Sequence, residues 1–206
     1  MPNSYQTIQK QADAEFTEKR SRFIGYACPV QTPQAAMEFV ASVRKQHWDA
    51  RHNVYAYILR DGVKRYSDDG EPQGTAGVPV LEVLEKSGVC DACVVVTRYF
   101  GGILLGAGGL VRAYTHSAHL ALEAAGICTM GLCAILELQA DYPLYAKLGS
   151  FLEKTQAKIL HTDFADTVRL TLSIDADAAE QLCAQSFDFS GGKIQPKKNG
   201  EKFAEK

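Results

Sequence analysis

The chain of 206 residues lacks the features that would assign it to most specialised classes. No apolar run approaches the ~18–20 residues that span a bilayer, and the opening MPNSYQTIQKQADAEF shows no basic-then-apolar leader pattern, so a cytoplasmic location is expected and no membrane partner. Its six cysteines, at 28, 90, 93, 128, 133 and 183, lack the dense spacing of a disulfide scaffold. Cys90 and Cys93 form a C-x-x-C, but Cys128 and Cys133 do not complete the second pair that zinc would want. Cys93 also opens an apolar strand, whereas a thioredoxin-type pair opens a helix, so packing is the expected role. A strong charge of either sign is missing too. The net charge is −2, and residues 1–130 carry 13 Lys/Arg against 13 Asp/Glu. Nucleic acid, if bound, must be held by a local patch rather than a global field. Hydrophobic residues at 46% and charged residues at 22% describe an ordinary globular protein.

The hydrophobic pattern gives two α+β domains, 1–129 and 130–206. Strands are predicted within Ala14–Val30, broken near Glu18–Arg20, and again over Asn53–Arg60 and Ala92–Phe100. Thr32-Pro33 supplies a helix cap and first position for a helix to about Gln46. A long polar loop is expected over Asp61–Gly77, a short helix over Val78–Lys86, and a helix after the glycine-rich segment that stops at Gly126. Beyond Met130 the order strand (Leu132–Ala140), helix from Asp141, hairpin (Ala157–Asp163 and Thr167–Ile174), helix (Asp175–Phe187) and short strand (Gly192–Gln195) is the ferredoxin-like βαββαβ arrangement. The tail Lys193–Lys206 carries five Lys and two Glu and reads as a solvated, frayed terminus.

Three segments can carry chemistry. Between Arg98 and Arg112 a strand runs through Tyr99 and Phe100 into Gly101, Gly102, Gly106, Gly108 and Gly109. Glycines admit close approach, and the N–H groups opening the following helix suit a phosphate or carboxylate. The segment lacks G-x-x-x-x-G-K-[ST], so glycines that merely let helix and sheet pack remain the competing reading. The run Ser67–Gly77 sets Asp68, Asp69 and Glu71 beside Gly70 and Pro72. A cation or arginines would suit it, although its spacing is not that of a calcium loop and a solvated turn is the ordinary reading. Arg112, His116, His119 and Glu123 share one helix face, without the H-E-x-x-H order of a zinc site. No nucleophile elbow is present, and no metal or cofactor is expected.

Lys19–Ile24, Ala50-Arg51-His52, Ser67–Gly77 and the signature Arg98-Tyr99-Phe100-Gly101-Gly102-Ile103-Leu104-Leu105-Gly106 together resemble the IMPACT (YigZ-like) family. The resemblance implies an N-terminal left-handed βαβ fold like that of small-subunit ribosomal proteins and of elongation factor G domain IV, followed by a ferredoxin-like domain. It also implies a link to translation, since eukaryotic members interfere with activation of the kinase that phosphorylates an initiation factor. On this resemblance the chain is expected to open straight into the shared domain, without their N-terminal partner-binding domain. The expected function is therefore noncatalytic binding of RNA or a ribosome-associated protein, with Arg22, Arg51, Arg98, Tyr99, Arg112, the glycines and the acidic run as the surface. The alternative is a phosphate- or nucleotide-dependent small-molecule enzyme, because galactokinase- and homoserine kinase-type enzymes share this pairing of folds. Asp68, Asp69 and Glu71 would then hold Mg²⁺ or act as base. A third possibility is a pure protein-interaction module with structural glycines. The oligomeric state is open.

Overall fold

A computed structural model describes residues 3–205 and divides them into two compact units. The first comprises Tyr5–Thr129; the second comprises residues 130–205 together with residues 3 and 4. None of the helices among the described residues is long and apolar enough to cross a membrane.

In chain order the elements leading through the first unit are β1 (Ser4–Ile8), β2 (Ala12–Glu18), β3 (Ser21–Pro29), α1 (Pro33–Gln46), β4 (His52–Ile58), β5 (Lys64–Ser67), α2 (Gly77–Lys86), β6 (Ala92–Tyr99) and α3 (Ala107–Ala125). β2 and β3 form a tight hairpin whose turn residues Lys19 and Arg20 both have positive φ, 44° and 66°, the twist-matched form of a two-residue turn. The sheet order is β2-β3-β6-β4-β5, with every neighbouring pair antiparallel. β3 and β4 therefore run parallel on either side of β6, joined across it by α1. Thr32 Oγ1 caps α1 by accepting from Ala35 N, as the Thr-Pro pair predicts.

Alternation along β6 sorts the unit into three layers. Cys93, Val95 and Tyr99 face α1 with Phe39, Val40 and Tyr57. Val94 and Val96 face α2 and α3 with Val80, Leu84, Tyr114 and Leu122. A strand buried on both faces must be apolar at nearly every position, which explains its unbroken Ala-Cys-Val-Val-Val run. Two elements here lay outside the sequence expectations: β1, and β5 within the segment read as a loop. β5 is four residues of mostly exposed edge strand, too short and polar to show a period.

The remaining elements are β7 (Ile127–Ala140), which enters the second unit at Met130, then α4 (Tyr142–Leu152), β8 (Lys158–Phe164), β9 (Val168–Asp175), α5 (Ala179–Phe189) and β10 (Lys197–Glu205). The strands of the second unit pair in the order β10-β7-β9-β8, the ferredoxin-like arrangement. Asp141 Oδ1 caps α4 through Leu144 N at 2.8 Å, and Leu136, Leu138, Leu148, Leu170, Leu172 and Leu182 form the core. The tail corrects the sequence reading. Instead of a frayed terminus after a strand at 192–195, Lys197–Glu205 is itself the strand, laid antiparallel along β7 from Glu137 to Met130. Its backbone pairing with β7 does not depend on apolar side chains, and a pattern-based reading has no access to it.

Candidate functional site

The site begins with a row across one end of the first sheet. Phe23 on β3, Arg98 on β6 and His52 on β4 are register partners, and all three project on the α2/α3 face. Arg98 is buried, 5% exposed, against a buried Glu71. Arg98 Nη1 donates to Glu71 Oε1 at 2.6 Å, and Tyr114 O–H from α3 donates to the same oxygen at 2.8 Å. Burial and the adjacent carboxylate push the Tyr114 hydroxyl up, so it stays a donor. The Arg98 guanidinium also lies between the rings of Phe23 and Phe100, 5.6 Å from each centroid. His52 Nδ1 lies 2.9 Å from the Asp69 carbonyl oxygen. That oxygen can only accept, so Nδ1 donates to it, while Nε2 lies 3.9 Å from Glu71 Oε1.

Above this row opens a cleft of about 400 Å³. Arg51 and His52 form one side, Glu71 and Arg98 the floor, and Phe100, Leu104, Leu105 and Leu110 an apolar wall that ends at the N-terminus of α3. Gly106 caps α3 with φ +73° and no side-chain hydrogen bond, leaving the first N–H groups of a 19-residue helix open. Leu104 at the loop tip is 82% exposed.

The sequence-predicted residues divide sharply. Arg51, Glu71, Arg98 and Gly106 come together at the cleft. Tyr99 and Arg22 do not, because adjacent strand residues face opposite sides. Tyr99 O–H instead donates to Asp49 Oδ1 at 3.0 Å and pairs with His47 Nδ1 at 2.8 Å. Arg22 is paired with Glu15 on the exposed surface. Arg112 and Gly109 line a separate hollow with Glu18, Lys19 and His116; Leu105 belongs to both hollows.

The acidic run is largely occupied. Asp68 accepts from Gly74, Ala76 and Gly77 N–H at 2.8–3.1 Å, which fastens the entry to α2. Asp69, at φ +44°, ties Arg44 and Asn53 N to the loop. In both residues each carboxylate oxygen accepts at least one hydrogen bond, so they shape the loop rather than simply face solvent. Among the described residues no group of three or more His, Cys, Asp or Glu is placed to hold a metal ion, and His116 instead packs edge-on against Phe16. The glycines divide as well. A Cβ on Gly101 would stand 2.0 Å from the Arg20 carbonyl carbon, so that residue is required for loop and hairpin turn to touch. Gly102 and Gly106 have positive φ and open space around them, and Gly108 is close to nothing but Arg112. Sequence reasoning noted His52 beside Arg51 without giving it a role, and it missed Tyr114 as a partner of Glu71; the spacing of Ala113-Tyr114 on the inner face of α3 was the available signal.

The chain resembles known proteins along its whole length. The Impact N-terminal domain model matches residues 19–122, and a domain of unknown function, DUF1949, matches 138–193. IMPACT family member YvyE of Bacillus subtilis is 38% identical, with the alignment covering all of this chain and 96% of that protein. IMPACT family member YigZ of Escherichia coli is 39% identical over 86% of this chain and 89% of its own length. Protein IMPACT of Bos taurus is 36% identical over 44% of this chain and 30% of that protein. A crystal structure of a hypothetical protein superposes with a TM-score of 0.63 at 34% identity, covering 98% of this chain and 100% of that one.

Proposed function

The chain belongs to the IMPACT family, and from that premise we propose that it is a noncatalytic, translation-linked binding protein whose first unit contacts RNA. The translational link rests on the family resemblance. The observation that favours RNA is a set of four cations, Lys19, Arg20, Arg51 and Arg112, which have no carboxylate partner among the described residues and lie around an exposed apolar loop. Lys19 and Arg20 form the hairpin turn that Gly101 abuts, Arg51 borders the cleft, and Arg112 borders the neighbouring depression. Phosphates attract such a rim without sequence preference, while exposed Phe100 and Leu104 offer apolar contact to bases. Arg98 is not among the phosphate contacts, because Glu71 already neutralises it.

The enzyme reading loses two of its three carboxylates to structural duty, since Asp68 and Asp69 are filled by N–H donors and Arg44. The test is single-stranded RNA binding across a salt series. Arg51→Ala with Arg112→Ala should leave the fold intact and lower the slope of log K against log salt by about 1.4, as expected for two lost phosphate contacts. RNA affinity undiminished by both substitutions would overturn the proposal. Partner capture that survives nuclease but fails on surface substitution would transfer the role to protein recognition.

A further inference from the structure

Glu71 has one carboxylate oxygen unaccounted for. Arg98 Nη1 and the Tyr114 hydroxyl both bond to Oε1, and His52 Nε2 also approaches that same atom. Among the described residues no hydrogen bond reaches Oε2, which is not among the fully buried unsatisfied atoms, and Glu71 lines the cleft. A carboxylate oxygen with a free acceptor position at a cavity can take a hydrogen-bond donor there. Two other demands come from the same space. The uncapped start of α3, beside Arg51, asks for an anion, and Phe100 with Leu104 asks for a flat apolar body.

One ligand class meets all three. We propose that the cleft holds a single unstacked nucleotide of an RNA strand. Its base lies against Phe100 and directs an exocyclic amine at Glu71 Oε2, and its phosphate sits at the N-terminus of α3 with Arg51. The volume of about 400 Å³ lies within the range of small-ligand pockets, roughly 300–1,000 Å³. Cytosine suits the site, because its N4 amine donates where uracil carries an acceptor oxygen that the carboxylate would repel. This assignment rests on the RNA reading above and adds base recognition to backbone contact.

The test compares labelled oligo-C, oligo-U and a base-free ribose-phosphate oligomer of equal length by fluorescence anisotropy at fixed salt, with free cytidine monophosphate as competitor. Oligo-C should bind about tenfold more tightly than the base-free strand, as one stacked and hydrogen-bonded base supplies, and several-fold more tightly than oligo-U. Phe100→Ala, on an exposed side chain, should abolish the advantage over the base-free strand while keeping the base-free affinity. Glu71→Gln should erase the preference for oligo-C over oligo-U; because it also removes the counter-charge of Arg98, Phe100→Ala carries the decision if that variant fails to fold. Equal binding of oligo-C and the base-free strand would overturn the base pocket and leave the backbone reading standing. No binding of any oligomer would overturn the RNA reading and this one with it. Free nucleotide binding as tightly as oligo-C would overturn the polymer assignment in favour of a soluble nucleotide.

Discussion

Arg98→Ala tests the floor of the cleft directly. The substitution removes a guanidinium that is 6% exposed and leaves the Glu71 carboxylate, 4% exposed, with the Tyr114 hydroxyl as its remaining close donor. Stranding one member of a buried ion pair costs about 3–5 kcal/mol. The unpartnered Oε2 opens toward the cleft, so water can reach the abandoned charge, which places the expected loss near the lower figure, about 3 kcal/mol. That is a large part of the roughly 5–15 kcal/mol available to a domain. Because the chain has two units, a global melt would blend them. Amide hydrogen exchange of Val94–Val96 in β6 reads the first unit alone, since these core amides open only with it. Arg98→Met with Glu71→Gln removes both charges while keeping an acceptor for Tyr114, and should recover about 2 kcal/mol of the loss. An Arg98→Ala cost below about 1 kcal/mol, or a double variant no better than the single, would refute the view that the pair is buried and mutually dependent.

Two further perturbations follow from the same unit. His47 is buried between the hydroxyls of Tyr26 (Nε2, 2.6 Å) and Tyr99 (Nδ1, 2.8 Å), and burial first, then Arg22, holds its pKa below the ordinary value. The unfolded chain therefore takes up the proton first. Stability is full above the unfolded pKa of about 6.5 and declines as pH falls from there toward the folded value; urea midpoints across that window should lose this slope in His47→Gln, and an unchanged slope would count against the assignment. Gly101→Ala should cost about 2–3 kcal/mol, because the new Cβ meets Arg20 backbone at 2.0 Å. Gly102→Ala, at φ +81° in open space, should cost only the left-handed strain of about 1 kcal/mol; denaturation that ranks the two the other way would show that loop and hairpin do not depend on that contact.

The elements with an inner face were legible in the sequence. Thr32-Pro33 and Asp141-Tyr142-Pro143 begin helices because their side chains satisfy orphan N–H groups, a local matter that a short window contains. The unbroken apolar run of β6 announces a strand covered on both sides. Elements defined by their neighbours were not legible. β5 and β10 are mostly exposed, with burial too slight to impose a period, and they exist because β4 and β7 offer free hydrogen-bonding edges. That information lies in the partner strand, not in Lys-Arg-Tyr-Ser or Lys-Lys-Asn-Gly.

The cleft sharpens the same distinction. Alternation alone separates Arg98 from Tyr99, so a strand reading of β6 already implies that only one of them can share a face with Val94 and Val96. What alternation cannot supply is Glu71, which reaches Arg98 across 27 residues while its neighbours Asp68 and Asp69 turn to backbone N–H groups and Arg44. Three adjacent acids look equivalent in a sequence. Two of them fix the shape of the loop, and that fixed loop brings the third to the guanidinium. The acidic run and the arginine–glycine segment thus form one construction, in which Asp68 and Asp69 set the position of Glu71 and Glu71 withdraws Arg98 from solvent. Around the cleft and its neighbouring hollow, the cations with no acid opposite them among the described residues are Lys19, Arg20, Arg51 and Arg112. A surface whose central arginine is neutralised and whose rim is not should bind backbone phosphates at its edge and a neutral ring at its centre, which is the division of labour that the oligomer series measures.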